Sequence, residues 1–209
     1  MATNKDQQNK ESASKDFSAH SSRDRIMAAA LKLFVEQGYF NTNIPDLSRE
    51  SQCSVGSIYH TFKNKEEVAT ALYQEGIKAF RSALLKSVQN IADPKENIRA
   101  VVKAFMQFSE VNRQLSKYLW LCRHNEFMSG MIQHPTKVGL DPLGRHLTKV
   151  IKSGIKSGVF ADLKANIIWT ILFGIPAAYV RDWLDGYNSD SPTKVANQLA
   201  DHCVKALLK

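Results

Sequence analysis

Apolar residues recur every three to four positions through most of the chain from residue 22 onward, which is the spacing of one face of an α-helix. In the first such stretch, Ile26, Ala30 and Phe34 keep this period until Gly38 interrupts it. No segment alternates apolar and polar residues over the length of a β-strand. The pattern therefore predicts an all-α protein.

Capping residues and prolines divide this periodic sequence into separate helices. Ser22 is a candidate N-cap for the first helix, Pro45 fits the first turn of the second, and Ser54 can cap the third. Residues 1–21 are polar and poor in apolar side chains, which predicts a disordered tail. The predicted helices cover about 22–37, 43–52, 54–61, 65–90, 93–110, 113–122, two pieces within 124–158, 162–185 and 191–208.

Composition favours a soluble protein of a reducing compartment. The chain has 209 residues, a net charge of +8 and three widely spaced cysteines, which argue against a disulfide framework. The first 65 residues carry nine Lys or Arg against seven Asp or Glu, so that end is not a polycation. No signal peptide is expected, and the longest apolar run, 167–180, is shorter than the roughly 20 residues that cross a bilayer. We expect a cytoplasmic protein with no membrane partner.

The short third helix has an unusual outer face. At 100° per residue, Val55, Ile58 and Phe62 fall on one side, which has to pack against the two preceding helices. A solvated helix face normally carries Glu and Lys, whereas this one carries small and polar residues suited to a close partner such as DNA base edges. The outward residues are Gly56, Ser57 and His60, with Tyr59 and Thr61 on the flanks.

Residues 25–73, RIMAAALKLFVEQGYFNTNIPDLSRESQCSVGSIYHTFKNKEEVATALY, resemble the DNA-binding domain of the TetR family of transcriptional regulators. The matching elements are AAALKLFVEQGY, T-N-I-x-D-L, S-V-G-S-I-Y-H-x-F and K-x-E. The resemblance implies a helix-turn-helix domain over 22–68, with its motif at about 45–64, and a helical ligand-binding and dimerisation domain over 69–209. It implies operator contacts by Thr42, Ser54, Gly56, Ser57, Tyr59, His60, Thr61 and Lys65, and Lys63 flanks the same helix.

Two residues depart from the family's pattern. Gln52 stands where the family usually has a turn glycine, so we expect a left-handed backbone at a non-glycine residue. Pro45 replaces the usual polar residue early in the second helix, which removes an expected backbone contact without affecting the fold.

The longer segment is rich in aromatic residues, whose plainest role is to fill the core. Apolar residues with a few polar groups are also typical of a small-molecule pocket, and the resemblance implies an inducer site in this domain. The candidate pocket residues are Phe105, Phe108, Trp120, His124, Trp169 and Phe173.

The helix predicted over 162–185 is apolar on two sides, and such a helix has to be buried on all sides. In a protein of this size, a second copy of the chain is an economical cover for one side, and the last helix can join it. Family dimers pair these two helices into a four-helix bundle. The candidate interface residues are Ile168, Ile171, Ile175, Tyr179, Leu199 and Cys203.

Catalytic and metal-binding patterns do not emerge from the spacing. Cys122 and Glu126 share a helix face but His124 does not, so we predict no metal, and no cofactor-binding glycine loop is present. The sequence predicts a homodimeric, sequence-specific transcriptional repressor that a small-molecule inducer releases from operator DNA, and not an enzyme. Two alternatives stay open: a small-molecule enzyme or carrier with an incidental helix-turn-helix, and an architectural DNA protein without sequence preference.

Overall fold

The computed structural model describes residues 21–122 and 141–209, and within them the backbone is helical apart from loops and one isolated β-bridge between Phe160 and Leu208. This confirms the all-α prediction. The helices are α1 Ser22–Glu36, α2 Ile44–Ser51, α3 Val55–Thr61, α4 Lys65–Ser87, α5 Pro94–Val111, α6 Arg113–Leu121, α7 Pro142–Lys156, α8 Ala165–Trp169, α9 Ile175–Leu184 and α10 Pro192–Leu207. Residues 1–20 and 123–140, including much of the predicted tail, lie outside the described residues.

The helix ends follow local capping chemistry. Helix α1 is capped by Ser21 rather than by the predicted Ser22, because the backbone N–H of Asp24 donates to Ser21 Oγ at 3.2 Å. Helix α2 has the same reciprocal arrangement, in which the Asp46 N–H donates to Asn43 Oδ1 at 2.9 Å and the Asp46 carboxylate accepts the Asn43 N–H. Gly38 ends the first helical stretch with a φ of +86°, a conformation that favours glycine.

The chain divides into two compact units, the first ending at Leu72 and the second beginning at Tyr73. The sequence prediction put the boundary one helical turn earlier, within the same helix α4. In the first unit, α1, α2 and α3 enclose a small apolar core. Its fully buried side chains include Ile26, Phe34, Leu47, Ile58 and Val68.

The second unit is built around α5 and α10, which pack against each other along their lengths. The buried face of α5 includes Val101, Val102 and Met106, and that of α10 includes Ala200 and Val204. Polar contacts join the two helices at both ends. Arg99 donates to Asp201 at 2.6 Å, and the N–H and hydroxyl of Thr193 both donate to Glu110 at 2.8 and 2.7 Å.

The helix predicted over 162–185 is divided into α8, a wide π-helical turn at Thr170–Gly174, and α9. Together they form a 20-residue segment, Ala165–Leu184, that is long and apolar enough to cross a membrane by length and composition alone. One third of its most apolar 18-residue window is buried within the chain. A core helix of a soluble protein passes the same test, so the feature to explain is the apolar surface left uncovered.

Candidate functional site

Helices α2 and α3 are joined by a tight turn at Gln52–Ser54. Gln52 has a φ of +55°, as expected for a residue at the position of a turn glycine. Ser48 Oγ donates to the Cys53 carbonyl at 2.6 Å, and the Ser57 N–H donates to Ser54 Oγ at 3.1 Å, which caps α3. These bonds fix a helix-turn-helix whose second helix presents one face to solvent.

The outer face of α3 is open. Ile58 is fully buried, whereas Ser54, Gly56 and His60 are exposed and Tyr59 is 54% exposed. A Cβ added at Gly56 would meet no atom nearer than Ser54 Oγ, at 3.9 Å. Packing within the domain therefore does not require glycine at this position, and a partner can approach the backbone closely there.

Val55 was predicted to point inward, and the structure shows that this was wrong, because 41% of the residue is exposed. It occupies the first turn of α3, beside the cap Ser54, where the helix extends past the core formed by Ile58 and Phe62. Its methyl groups therefore form part of the outer face of α3. Apolar groups on such a face can contact the methyl group of thymine.

The hydroxyls on α3 are partly committed to the helix itself. Thr61 Oγ1 donates to the Ser57 carbonyl at 2.9 Å, and both residues are half-buried. Lys63 is exposed, and its backbone N–H donates to Glu67 at 2.6 Å in the loop that leads to α4. Lys63 is therefore a solvent-exposed cation two residues after the end of α3.

Thr42 and Lys65 are engaged inside the domain. Thr42 is buried, and its hydroxyl donates to the Gly38 carbonyl at 2.9 Å. Lys65 Nζ donates to the carbonyls of Tyr39 and Thr42 at 2.8 and 2.7 Å and lies 4.1 Å from the centre of the Tyr39 ring. Burial lowers the pKa of Lys65 below its ordinary value. The resemblance implied direct operator contacts for both side chains, whereas the structure directs both toward the loop that precedes α2.

The comparison with protein families agrees with this geometry. Residues 26–72 match the family described as bacterial regulatory proteins, tetR family, and this match spans the helix-turn-helix and the start of α4. The chain belongs to the TetR family of transcription regulators. Members of this family are DNA-binding regulators and not enzymes.

Relatives and solved structures extend the likeness beyond the TetR-type DNA-binding domain. The HTH-type transcriptional regulator HbdR of Aromatoleum sp. is 29% identical over 44% of this chain, and the chain spans only 40% of HbdR. The fatty acid metabolism regulator protein of Bacillus subtilis is 26% identical over 77% of this chain and 82% of its own length. The structure of the fatty acid degradation regulator FadR from Bacillus halodurans has a TM-score of 0.74 at 20% identity, covering 88% of this chain and 95% of FadR, which shows a shared fold.

In the second unit of this TetR-family chain, the predicted aromatic residues come together. The Trp120 ring stacks on Phe105 at 5.5 Å, and Phe173 lies 6.5 Å from Phe105 and stacks on Trp169 at 5.8 Å. Sequence reasoning missed Phe80. The centre of its ring lies 4.9, 5.3 and 5.2 Å from the ring centres of Phe105, Phe108 and Trp120, respectively. We call these six residues the aromatic cluster. His124 lies outside the described residues.

Three buried polar groups beside the aromatic cluster lack a hydrogen-bond partner among the described residues. They are the indole N–H of Trp120 and the hydroxyls of Ser109 and Ser116. Ser116 and Trp120 are four residues apart on α6, which puts them on one helix face. A buried donor without a partner costs free energy, so such groups are uncommon unless a ligand or water satisfies them.

An open cleft of the second unit lies away from the aromatic cluster. Its volume is about 520 Å³, and it runs along α5 and α10 with a lining that includes Glu96, Arg99, Lys103 and Asp201. Arg99 is already paired with Glu96 and Asp201, so its charge is neutralised within the cleft. This cleft was not predictable from the sequence, because residues from helices distant in the chain line it.

Two of the predicted interface residues lie in the core of the regulator. Ile168 is 5% exposed and Cys203 is 1% exposed, and Cys203 Sγ lies 3.5 Å from the Ile171 carbonyl. Burial also raises the pKa of the Cys203 thiol to about 11. In a regular helix, Ile168 and Val180 would be about 120° apart, but the π-helical turn absorbs one residue and brings both to the buried side.

The remaining interface candidates stay at least partly accessible. Ile175 is 40% exposed, and Ile171, Tyr179 and Leu199 are half-buried. Ile167, which the sequence analysis did not select, is 46% exposed on the same segment. The described residues contain no group of three or more His, Cys, Asp or Glu side chains placed to hold a metal ion.

Proposed function

We propose that the protein is a homodimeric, sequence-specific repressor of transcription that a small-molecule ligand releases from its operator. The proposal rests chiefly on the outer face of α3, where exposed small and polar side chains surround a glycine that internal packing does not require. This is the arrangement of a helix that enters a major groove and contacts base edges. A soluble regulator of this kind acts in the cytoplasm, where bacterial DNA is found.

The decisive experiment is selection of bound duplexes from a random-sequence DNA library, followed by footprinting of the selected sequence. We expect a palindromic operator whose half-sites lie about 34–36 Å, or one helical turn, apart. Enrichment of no sequence would instead favour an architectural DNA protein, which was the second alternative from the sequence.

Within this function, we assign direct contacts and positioning roles to different residues. Gly56, Tyr59 and His60 are exposed on α3 and are assigned to the operator, with Ser54 and Lys63 at its phosphates. Ser57 and Thr61 complete the face through their half-buried side chains. Thr42 and Lys65 are assigned to positioning, because their polar atoms hold the loop that fixes the start of α2.

The salt dependence of operator binding distinguishes these two roles. A lysine that contacts phosphate contributes about one unit to the slope of log affinity against log salt concentration. We expect Lys63→Gln to reduce that slope by about one. Lys65→Gln should leave the slope unchanged while lowering operator affinity about tenfold and lowering the thermal unfolding midpoint, since two carbonyls lose a charged donor. A reduced slope for Lys65→Gln would instead assign Lys65 to the phosphate contacts.

The homodimer is supported by the uncovered apolar surface of Ala165–Leu184. Only one third of this segment's most apolar window is buried within the chain, and Ile167 and Ile175 are each more than one third exposed. A second copy is the partner that a TetR-family chain pairs with through this region. We assign Ile167, Ile171, Ile175, Tyr179 and Leu199 to the interface.

The ligand is proposed to bind at the aromatic cluster. Apolar walls with a small number of polar groups are typical of small-molecule sites, and Trp120 supplies a buried N–H without a partner. The names of two similar proteins refer to fatty acid metabolism and fatty acid degradation, so fatty acids and their thioesters are the first ligands to test.

Replacing Trp120 with phenylalanine keeps an aromatic ring and removes the indole N–H. If that N–H donates to the ligand, palmitate or palmitoyl-CoA should bind about two- to tenfold more weakly, as expected for one hydrogen bond. Operator affinity without ligand should not change. Calorimetry and gel-shift titration measure the two quantities. Weakened operator binding in the absence of ligand, in a variant that still folds and dimerises, would assign Trp120 to the core.

A further inference from the structure

The net charge of this protein lies outside its DNA-binding unit. Residues 22–72 contain six Lys or Arg and six Asp or Glu, so they have no net charge when histidine is neutral. Residues 73–209 contain nineteen Lys or Arg and eleven Asp or Glu. Non-specific attraction to DNA depends on positive charge, and here that charge belongs to the second unit.

Four of these positive charges form one stripe on α7. Arg145, Lys149, Lys152 and Lys156 are spaced by four, three and four residues, which places them within about 60° of one another around the helix. All four are exposed, and the stripe is about 16 Å long at 1.5 Å per residue. We call these four residues the basic stripe.

The three lysines of the basic stripe have no acidic neighbour on α7 itself. Helix α7 contains no Asp or Glu, and its one histidine, His146, lies 2.8 Å from Asn97 Oδ1. Lys149, Lys152 and Lys156 form no ion pair with any residue that the structure describes. A surface of this kind attracts an extended polyanion.

The opposite face of α7 limits what that polyanion can be. Leu143, Leu147 and Ile151 are buried in the core, and Gly154 is covered by the Phe160 ring, which an added Cβ would approach to 2.3 Å. A helix that adsorbs to a membrane buries its apolar face among the lipids, and this apolar face is already occupied. The basic stripe is also a convex helix surface, which gives no enclosure to a small phosphorylated molecule.

We propose that the basic stripe is a second DNA-contacting surface that binds the phosphate backbone without sequence preference. It would supply the non-specific affinity that the helix-turn-helix unit, which has no net charge, does not provide. The lysines suit this role, because they act as point charges toward phosphates and carry no base-specific geometry. This inference rests on the proposed function only in that the protein binds DNA.

The test compares two triple variants of the full chain with equal changes in net charge. One is Lys149→Gln, Lys152→Gln and Lys156→Gln, and the control is Lys78→Gln, Lys86→Gln and Lys103→Gln, which are exposed lysines of α4 and α5. The ligand is a 30-base-pair duplex of arbitrary sequence, titrated at several salt concentrations by fluorescence anisotropy.

We expect the stripe variant to bind this duplex at least tenfold more weakly than the control at low salt. The slope of log affinity against log salt should decrease by two to three units, or about 0.9 for each lost phosphate contact. Equal affinities and slopes for the two variants would overturn the proposal. Loss of binding to vesicles containing anionic lipid, with DNA binding unchanged, would also overturn it and assign the stripe to a membrane surface.

Failure of this inference is distinguishable from failure of the proposed function. Selection of a sequence-specific operator depends on α3 and is measured with the unaltered protein. A protein that selects an operator yet shows no stripe effect would retain the proposed function and lose only the second surface.

Discussion

Replacing Gly56 with glutamate is expected to lower operator affinity by at least a hundredfold while the protein remains folded. The position is exposed, and a Cβ there meets nothing nearer than 3.9 Å, so the domain itself tolerates a side chain. In the complex, the carboxylate would face DNA phosphates at the closest approach, and such like-charge contacts cost several kcal/mol. Gel-shift titration of the selected operator measures the loss, and circular dichroism checks the fold.

Gly56→Ala is the matched control for this prediction. Alanine favours a helix over glycine by about 1 kcal/mol, so the variant should unfold at a higher temperature. Its operator affinity should fall much less than that of Gly56→Glu, because it adds one methyl group and no charge. If Gly56→Glu bound the operator as well as the unaltered protein does, Gly56 would not be part of the interface.

Replacing Ile175 with glutamate is expected to convert the dimer to monomers. The side chain is 40% exposed in the single chain, so glutamate there is solvated until a second copy covers it. Burying an unpaired charge in an apolar interface is expensive, and the carboxylate has no cationic partner assigned there. Light scattering should give the monomer mass, and operator affinity should fall more than a hundredfold because the half-sites are then bound independently.

Val111→Glu is the matched control, since Val111 is an apolar residue of the same unit that is 73% exposed at the end of α5. It introduces the same charge away from Ala165–Leu184 and should leave the dimer intact. Dimers that persist in Ile175→Glu would place the interface on another surface, and monomers in Val111→Glu would place it near the end of α5.

The helix-turn-helix was predictable from sequence because its determinants are local. Ser54 precedes the apolar pair Ile58 and Phe62 at helical spacing, and the cap and the buried side both follow from that short stretch. The internal hydrogen bonds of Thr42 and Lys65 were not predictable, since they depend on a loop that brings residue 65 beside residues 39 and 42. Periodicity carries no information about which backbone carbonyls remain free to accept.

The second unit was predicted less completely, because its contacts join distant helices. Phe80 is the residue that connects Phe105, Phe108 and Trp120, yet it lies on a helix to which the sequence analysis assigned no pocket residue. The basic stripe, in contrast, was visible in the spacing of its four residues. It was missed because the sequence around 124–158 was not divided into definite helices.

The π-helical turn at Thr170–Gly174 also affects how this segment compares with those of other TetR-family chains. A relative whose corresponding helix is regular throughout has one residue fewer between equivalent buried positions. If such a relative is aligned without a gap, the residues beyond the turn are out of register by one, and buried residues of one protein are matched to exposed residues of the other. A single-residue gap placed within 170–174 restores the correspondence. Interface residues transferred from such relatives are therefore reliable for this protein only when the two sides of the turn are aligned separately.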